Sequence, residues 1–262
     1  MRLLVLAAAF LGLLHAQDAR EIVRRAVELD RRSAEAWRPY AFNQRNEVKE
    51  FDGGGKLKKS DDRTWDVTVV DGSPYRRLIA RNGQPISAAE QQTEQDKLKF
   101  DAAQRRQESP QVRERRIKEW HQKQDKQRES LKELPEAFDF RIAAQETLGG
   151  VPAWVIDATP RKGYKPKLSS ASFFPKVKAR LWIAKKDNAW VRIDMEALDT
   201  ISFGTIVLRL ARGSRLVIDQ VHVDNDVWLP SHATVEASAR ILLVKFMRAE
   251  YHFTFSDYRK LD

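Results

Sequence analysis

Runs in which apolar and polar residues alternate dominate the chain and predict β-strands. In WVRIDMEA, the residues Val191, Ile193, Met195 and Ala197 share one face, and charged residues fill the other. Parallel strands are usually buried on both faces, so one apolar and one charged face favours an antiparallel sheet. The pattern therefore predicts a mainly β protein of the α+β type.

Similar alternating runs lie between residues 40 and 82 and again from residue 138 onward. Turn sequences such as FDGGGK, DGSP, LGG and KKDN separate these runs. Counting the runs between such turns predicts about eleven strands in one open antiparallel sheet, a half-barrel.

The segment 18–37 has helical rather than strand periodicity. Ile22, Ala26 and Leu29 form one apolar stripe, with Val23 beside it. Pro39 then ends the pattern. An N-terminal helix is therefore expected to pack on the sheet.

A second helical region, 87–134, interrupts the strands. It begins with SAAE, in which Ser87 and Glu90 form a capping box, and it is broken by Ser109 and Pro110. Apolar residues are too sparse along it for a core helix. We expect a helical insertion that forms a projecting arm or a lid.

The first sixteen residues, MRLLVLAAAFLGLLHA, combine a basic start with a short apolar run and a small final residue. This is the pattern of a cleaved secretory signal peptide, and the run is too short to span a bilayer. We expect export to the periplasm, with 17–262 forming a single domain. The chain has no cysteine, which excludes disulfides and thiolate metal sites.

The chain carries a formal net charge of +10. Outside the cytoplasm such a charge suits phospholipid head groups or acidic polymers better than nucleic acid. The excess is concentrated in 158–186, which has nine basic residues and no acidic one. Its predicted residues for docking on an anionic membrane are Arg161, Lys162, Lys165, Lys167, Phe173, Phe174, Lys176 and Lys178. In the alternative interpretation, the two phenylalanines fold back and close one end of the barrel.

Four ordered phrases resemble proteins of the outer-membrane lipoprotein-sorting type, distant relatives of the lipoprotein carriers LolA and LolB. They are GSPYRRLIARNGQPISAAEQ, RLWIAKKDNAWVRIDMEALDTISFG and GSRLVIDQVHVDNDVWLPSHATVEASARIL, followed by FSDYRKL. The resemblance implies a half-open antiparallel barrel whose concave side is covered by helices and holds acyl chains.

Alternation along the strands selects the residues expected on an apolar concave face that binds acyl chains. They are Leu181, Ile183, Val191, Ile193, Met195, Ile206, Leu208, Leu210 and Trp228. Each buried methylene of a ligand would contribute about 0.8 kcal/mol. The competing interpretation is that these residues fill a core without a cavity.

The segment VDNDVWLPSHATVE raises the question of catalysis, since Asp224, Asp226 and His232 lie close together. We interpret VDND as a turn and the following residues as a strand with Pro230 at an edge, a bulge or a start. His222 and His232 would form a metal site only if the hairpin brought them face to face. Nucleophile-elbow, zincin and phosphate-loop motifs are missing from the sequence.

The sequence therefore predicts a non-catalytic, monomeric carrier of a lipid or lipidated protein, with no cofactor and no metal. The first alternative is an envelope protein that docks on anionic membrane or polymer through 158–186 without an internal ligand. An exported hydrolase is the third hypothesis.

Overall fold

The computed structural model describes residues 19–33, 35–203, 208–224, 227–241 and 245–261. The predicted signal peptide, Ile206 and Asp226 lie outside these ranges. In the described part, eleven antiparallel strands form one continuous path in the order β4-β3-β2-β1-β13-β12-β11-β8-β7-β6-β5. Two short strands lie off this path, with β10 pairing both β12 and β9. The predicted open antiparallel sheet is confirmed.

The strands alternate with short turns and two longer connections. Their bounds are β1 Tyr40–Phe51, β2 Leu57–Val70, β3 Ser73–Arg81, β4 Gln84–Pro85, β5 Phe138–Leu148, β6 Val151–Pro160, β7 Val177–Ala184, β8 Trp190–Ala197, β9 Ile201–Phe203, β10 Leu208–Leu210, β11 Arg215–Asp224, β12 Val227–Ile241 and β13 Lys245–Lys260. The path joins the first and last long strands, since Gln44 of β1 lies opposite Phe255 of β13.

The N-terminal helix, α1, covers 19–33 and ends earlier than the predicted residue 37. Turns follow it, in which the amides of Ala36 and Arg38 donate to the carbonyls of Ser33 and Glu35. Pro39 disfavours helical geometry at the residue before it, which accounts for a turn rather than a last helical turn. The helix buries Ala19, Val23 and Ala26 completely.

The helical insertion contains α2 (Ala88–Gln107), α3 (Pro110–Glu129), a 3₁₀ turn (Ser130–Glu133) and α4 (Leu134–Ala137). The predicted capping box at Ser87 and Glu90 is present, and Ser109 caps α3 with Pro110 at its first position. Helix α2 buries none of its residues. Helix α2 thus rests on the sheet without entering the core, whereas the end of the insertion reaches it through the buried Ala137.

Two arginines fasten the insertion to the turn between β2 and β3. Arg105 of α2 donates to the carbonyls of Val70 and Ser73 at 2.9 and 3.0 Å. Arg116 of α3 donates to the Asp71 carbonyl at 3.1 Å. Polar contacts to backbone oxygens therefore hold the insertion where apolar packing is scarce.

Both α1 and α3 lie on the same face of the sheet, which we call the covered face. The opposite, outer face has alternating charges along neighbouring strands. On it, Asp157 accepts from Arg180, and Arg215 donates to Asp194 at 2.7 Å. The alternation along the strands therefore places apolar residues on the covered face and charged residues on the outer face.

Candidate functional site

The covered face of β5 to β8 is a filled core. Leu181 and Ile183 are buried in one cluster with α1 residues and Phe138, and Ile193, Met195 and Leu210 pack against that cluster. These are residues that the sequence predicts on a ligand-binding face. Contact with a ligand at Leu181 or Ile183 would require α1 to move away.

Val191 departs from the simple alternation because the β7–β8 pairing contains a bulge. Trp182 lies opposite Arg192, whereas Ile183 lies opposite Trp190. The extra residue lets Trp190 join the cluster beneath α1, and Val191 packs in a second cluster with Ala184. Of the other predicted face residues, Leu208 begins β10 and Ile206 is outside the described ranges.

A cavity of about 730 Å³ lies elsewhere on the covered face, between the sheet and the helices. Strands β1, β3, β11, β12 and β13 form its floor, and α1, the turn after it, and α3 form its cover. Its lining residues are Asp30, Ser33, Trp37, Tyr40, Phe42, Gln44, Pro74, Arg76, Trp120, Lys123, Gln124, Arg128, Gln220, Trp228, Leu229, Pro230, Phe255 and Tyr258. Trp228 is the one predicted ligand contact within this described lining.

Aromatic rings give the cavity its apolar surface. The ring of Phe42 lies 5.9 Å from that of Phe255 and 5.5 Å from that of Tyr258. Tyr258 donates its hydroxyl to the Pro230 carbonyl, and the Trp228 indole donates to Asp187 at 2.9 Å. These bonds satisfy the polar ends of both side chains and leave their ring faces for contact.

The cover is held by two ion pairs between α3 and the N-terminal segment. Arg128 lies 3.3 Å from Asp30, and Arg38 lies 3.7 Å from Asp125. Arg128 also stacks over the Trp37 ring at 4.9 Å. Burial raises the pKa of Asp30 although Arg128 opposes this shift. The α3 helix is therefore a lid attached by charges.

The charged lining is one carboxylate and three cations, Asp30 against Arg76, Lys123 and Arg128. Asp30 and Arg128 pair with each other. Arg76 stacks on Trp65 at 4.3 Å, and burial alone lowers the pKa of its guanidinium. Within the described ranges neither Arg76 nor Lys123 has a carboxylate partner, so the cavity wall carries uncompensated positive charge.

The basic loop between β6 and β7 folds against the insertion. Phe174 is buried and packs edge-on against Phe138 at 5.4 Å, with Phe173 beside it at 4.8 Å. This packing, with Phe174 buried and Phe173 half-buried, corresponds to the fold-back arrangement considered from the sequence. Glu133 anchors the loop by accepting from the Tyr164 hydroxyl and the Leu168 amide.

The basic side chains of this loop fall into two groups. Arg161 pairs with Asp139 at 3.0 Å and Lys178 with Glu196 at 2.9 Å, while Lys176 donates to the Thr200 carbonyl. The second group is exposed and has no acidic partner in the described structure. It comprises Lys162, Lys165 and Lys167.

In the described part of the segment that suggested catalysis, β11 ends at Asp224 and β12 begins at Val227. His222 lies opposite Trp228, and His232 lies opposite Asp219, so the hairpin does not bring the two histidines together. Asp224 accepts from the Tyr40 hydroxyl at 3.4 Å, and Pro230 lies beside a bulge. The described residues contain no group of three or more His, Asp or Glu arranged to hold a metal.

Sequence reasoning did not find most of the cavity. Tyr40 and Phe42 alternate at the start of β1, as Phe253 and Phe255 do near the end of β13. That alternation was a usable signal, but the pairing of strands more than 200 residues apart was needed to bring them together.

None of the described helices is both long and apolar enough to cross a membrane.

No protein-family model and no curated protein matches the chain. Solved structures that resemble it include a DUF1329 family protein from Desulfovibrio piger, with 11% sequence identity and a TM-score of 0.34. The match covers 94% of this chain and 93% of that protein. A putative outer membrane lipoprotein-sorting protein domain from Vibrio parahaemolyticus has 10% identity, 90% and 92% coverage and a TM-score of 0.35. A LolA superfamily protein from Nitrosomonas europaea has 12% identity, 93% coverage of both chains and a TM-score of 0.33.

Proposed function

We propose that this protein is an exported, non-catalytic carrier or binding protein for an acyl-bearing ligand, a lipid or a lipidated protein, in the bacterial cell envelope. The observation that carries the proposal is the aromatic cavity between the sheet and the α3 lid. The predicted signal peptide supports the location, and residues 17–262 are proposed to act as one domain.

The size and surface of the cavity suit an apolar chain. Its volume of about 730 Å³ lies within the range of roughly 300–1,000 Å³ that is usual for small-ligand sites. Each methylene that leaves water contributes about 0.8 kcal/mol, so a long chain gains substantial affinity from burial alone. The ring faces of Phe42, Phe255 and Trp120 offer that burial.

The chemistry of the lining favours binding over catalysis. The described lining has no histidine, and its one carboxylate, Asp30, is already paired with Arg128. A general base needs a titratable group free to reach its substrate. A hydrolase is therefore the weaker hypothesis for this site.

A fluorescent fatty-acid probe tests the proposal with a matched pair of variants. Trp120→Gln removes an aromatic ring from the lid side of the cavity, whereas Phe100→Gln removes one that is 65% exposed on α2 and does not line it. We expect saturable probe binding that Trp120→Gln weakens several-fold and Phe100→Gln leaves unchanged. Absence of saturable binding, or an equal effect of both variants, contradicts the proposal.

A second candidate function, docking on an anionic membrane, is favoured by the three unpaired lysines of the basic loop. Each basic residue near such a surface contributes about 1 kcal/mol. Replacing Lys162, Lys165 and Lys167 by glutamine should reduce binding to phosphatidylglycerol vesicles. Replacing the three paired residues Arg161, Lys176 and Lys178 by glutamine removes the same charge and supplies the control, which should reduce binding less. Equal losses, or no loss, would remove this candidate.

A further inference from the structure

We infer that the ligand is an anionic amphiphile, whose carboxylate or phosphate group is bound by Arg76 on the sheet and Lys123 on the lid. This inference rests on the proposed function and specifies the chemical class of its ligand. The aromatic rings of the cavity can contact the apolar chain of the ligand, but they do not bind its polar end.

Arg76 differs from its neighbours in lacking a counterion. On the same strand, Arg77 lies 3.0 Å from Asp66, and Arg81 lies 3.1 Å from Glu90. The guanidinium of Arg76 instead rests on the Trp65 ring, and no described carboxylate pairs with it. A guanidinium presents a rigid fork of donors that matches a carboxylate or a phosphate.

The electrostatic surroundings of Arg76 also set it apart from other arginines of the sheet. Other arginines of the sheet, such as Arg45 and Arg215, have a pKa raised chiefly by a hydrogen-bonded carboxylate. Burial lowers the pKa of Arg76 with no carboxylate to offset it. Because the Arg76 side chain is also exposed and lines the cavity, an incoming anion can reach a guanidinium that has no carboxylate partner among the described residues.

The cover of the cavity contributes two further donors, one from the α3 lid and one from the turn after α1. Lys123 of α3 is exposed and has no acidic partner among the described residues. The indole nitrogen of Trp37 is buried without a hydrogen-bond acceptor there. The indole nitrogen lacks an acceptor, and Lys123 and Arg76 have no carboxylate partner among the described residues. A ligand that supplies oxygens of negative charge would therefore connect the lid to the sheet.

Calorimetric titration with dodecanoate and dodecan-1-ol tests this assignment, because the two probes share a chain and differ in charge. We expect dodecanoate to bind at least about tenfold more tightly, the usual gain from a charge-assisted hydrogen bond. Arg76→Gln should abolish most of that difference by weakening the binding of dodecanoate far more than the binding of the alcohol. Lys123→Gln should reduce the difference, and Lys126→Gln, an exposed residue of α3 outside the lining, should not.

The outcomes separate the inference from the proposed function. Equal affinities for the two probes, or an unchanged preference in Arg76→Gln, would overturn the inference while leaving acyl binding intact. Failure of both probes to bind would overturn the proposed function and the inference with it. Acetate and inorganic phosphate form the third arm: binding as tight as that of dodecanoate would identify a free-anion site and reject the amphiphile.

Discussion

Arg128 of α3 lies 3.3 Å from Asp30 of α1, and this ion pair ties the lid to the helix that covers the core. The Asp30 side chain is only 17% exposed. Loss of its partner would leave a carboxylate that is poorly hydrated and uncompensated. The pair thus couples the position of the lid to the protonation of one buried acid.

We expect Arg128→Gln to lower the free energy of unfolding by about 1 to 3 kcal/mol at neutral pH, between the values for exposed and for buried pairs. Folding raises the pKa of Asp30 above its ordinary value of 3.8. The protonated carboxyl therefore stabilises the folded protein at pH values below 3.8, and this stabilisation is lost as the pH rises through the pKa of the folded state. The ion-pair contribution of Arg128 requires an ionised Asp30, whereas its stacking on Trp37 does not depend on pH. The difference between variant and wild type should therefore shrink on acidification, as measured by urea unfolding at several pH values. A difference independent of pH would contradict this account.

Glu133 provides a second pH-dependent prediction, with the opposite sign. Burial would raise its pKa, but hydrogen bonds from Tyr164 and from the amides of Lys167 and Leu168 outweigh burial and lower it. Its contribution is present above the ordinary value of 4.5 and is lost as the pH falls below it. Glu133→Gln should cost about 1 to 3 kcal/mol at neutral pH. Urea unfolding should show this cost vanishing in acid, and the exposed Glu136→Gln serves as the control.

Gly72 forms part of the turn on which the insertion rests. Its φ of +84° favours glycine, and a β-carbon there would lie 2.6 Å from the Ile117 side chain. Gly55 has a φ of +82° with open space around it. Gly72→Ala should therefore lower the melting temperature more than Gly55→Ala does. Adding Ile117→Ala should recover the excess, and equal effects of the two glycine variants would show that α3 does not press on the turn.

Trp228 and His232 separate the structural interpretation of β12 from a catalytic one. Trp228 is partly buried, donates to Asp187 and lines the cavity, so Trp228→Ala should cost about 3 kcal/mol and weaken probe binding. His232 is exposed, and His232→Ala should change stability by less than about 0.5 kcal/mol. Thermal melts and probe titrations of both variants check this. A stable His232→Ala variant that has lost a hydrolytic activity would support the hydrolase hypothesis instead.

Local signals predicted the elements of this fold well. The capping box at Ser87, the break at Ser109 and Pro110, and the alternation of β8 each depend on residues that are near in sequence. Such interactions can be recognised without knowing the tertiary structure. From these local interactions the sequence predicts the antiparallel sheet and the lightly packed insertion.

The candidate site depends on relationships that local patterns do not contain. Phe42 meets Phe255 only because β1 pairs with β13, and Trp120 joins them only because α3 folds back over the sheet. The bulge at Val191 likewise shifts a face that strict alternation assigns otherwise. The predicted ligand face was consequently placed over β7 and β8, where α1 fills the space.

Native mass spectrometry of the protein exported to a bacterial periplasm and purified without detergent tests the central claim most directly. We expect a population heavier than the polypeptide by the mass of an acyl-bearing molecule. Organic solvent should extract this molecule, and the Trp120→Gln variant should retain it less well than Phe100→Gln. Only the mass of the polypeptide, unchanged after incubation with a bacterial lipid extract, would contradict the claim that this cavity holds an acyl ligand.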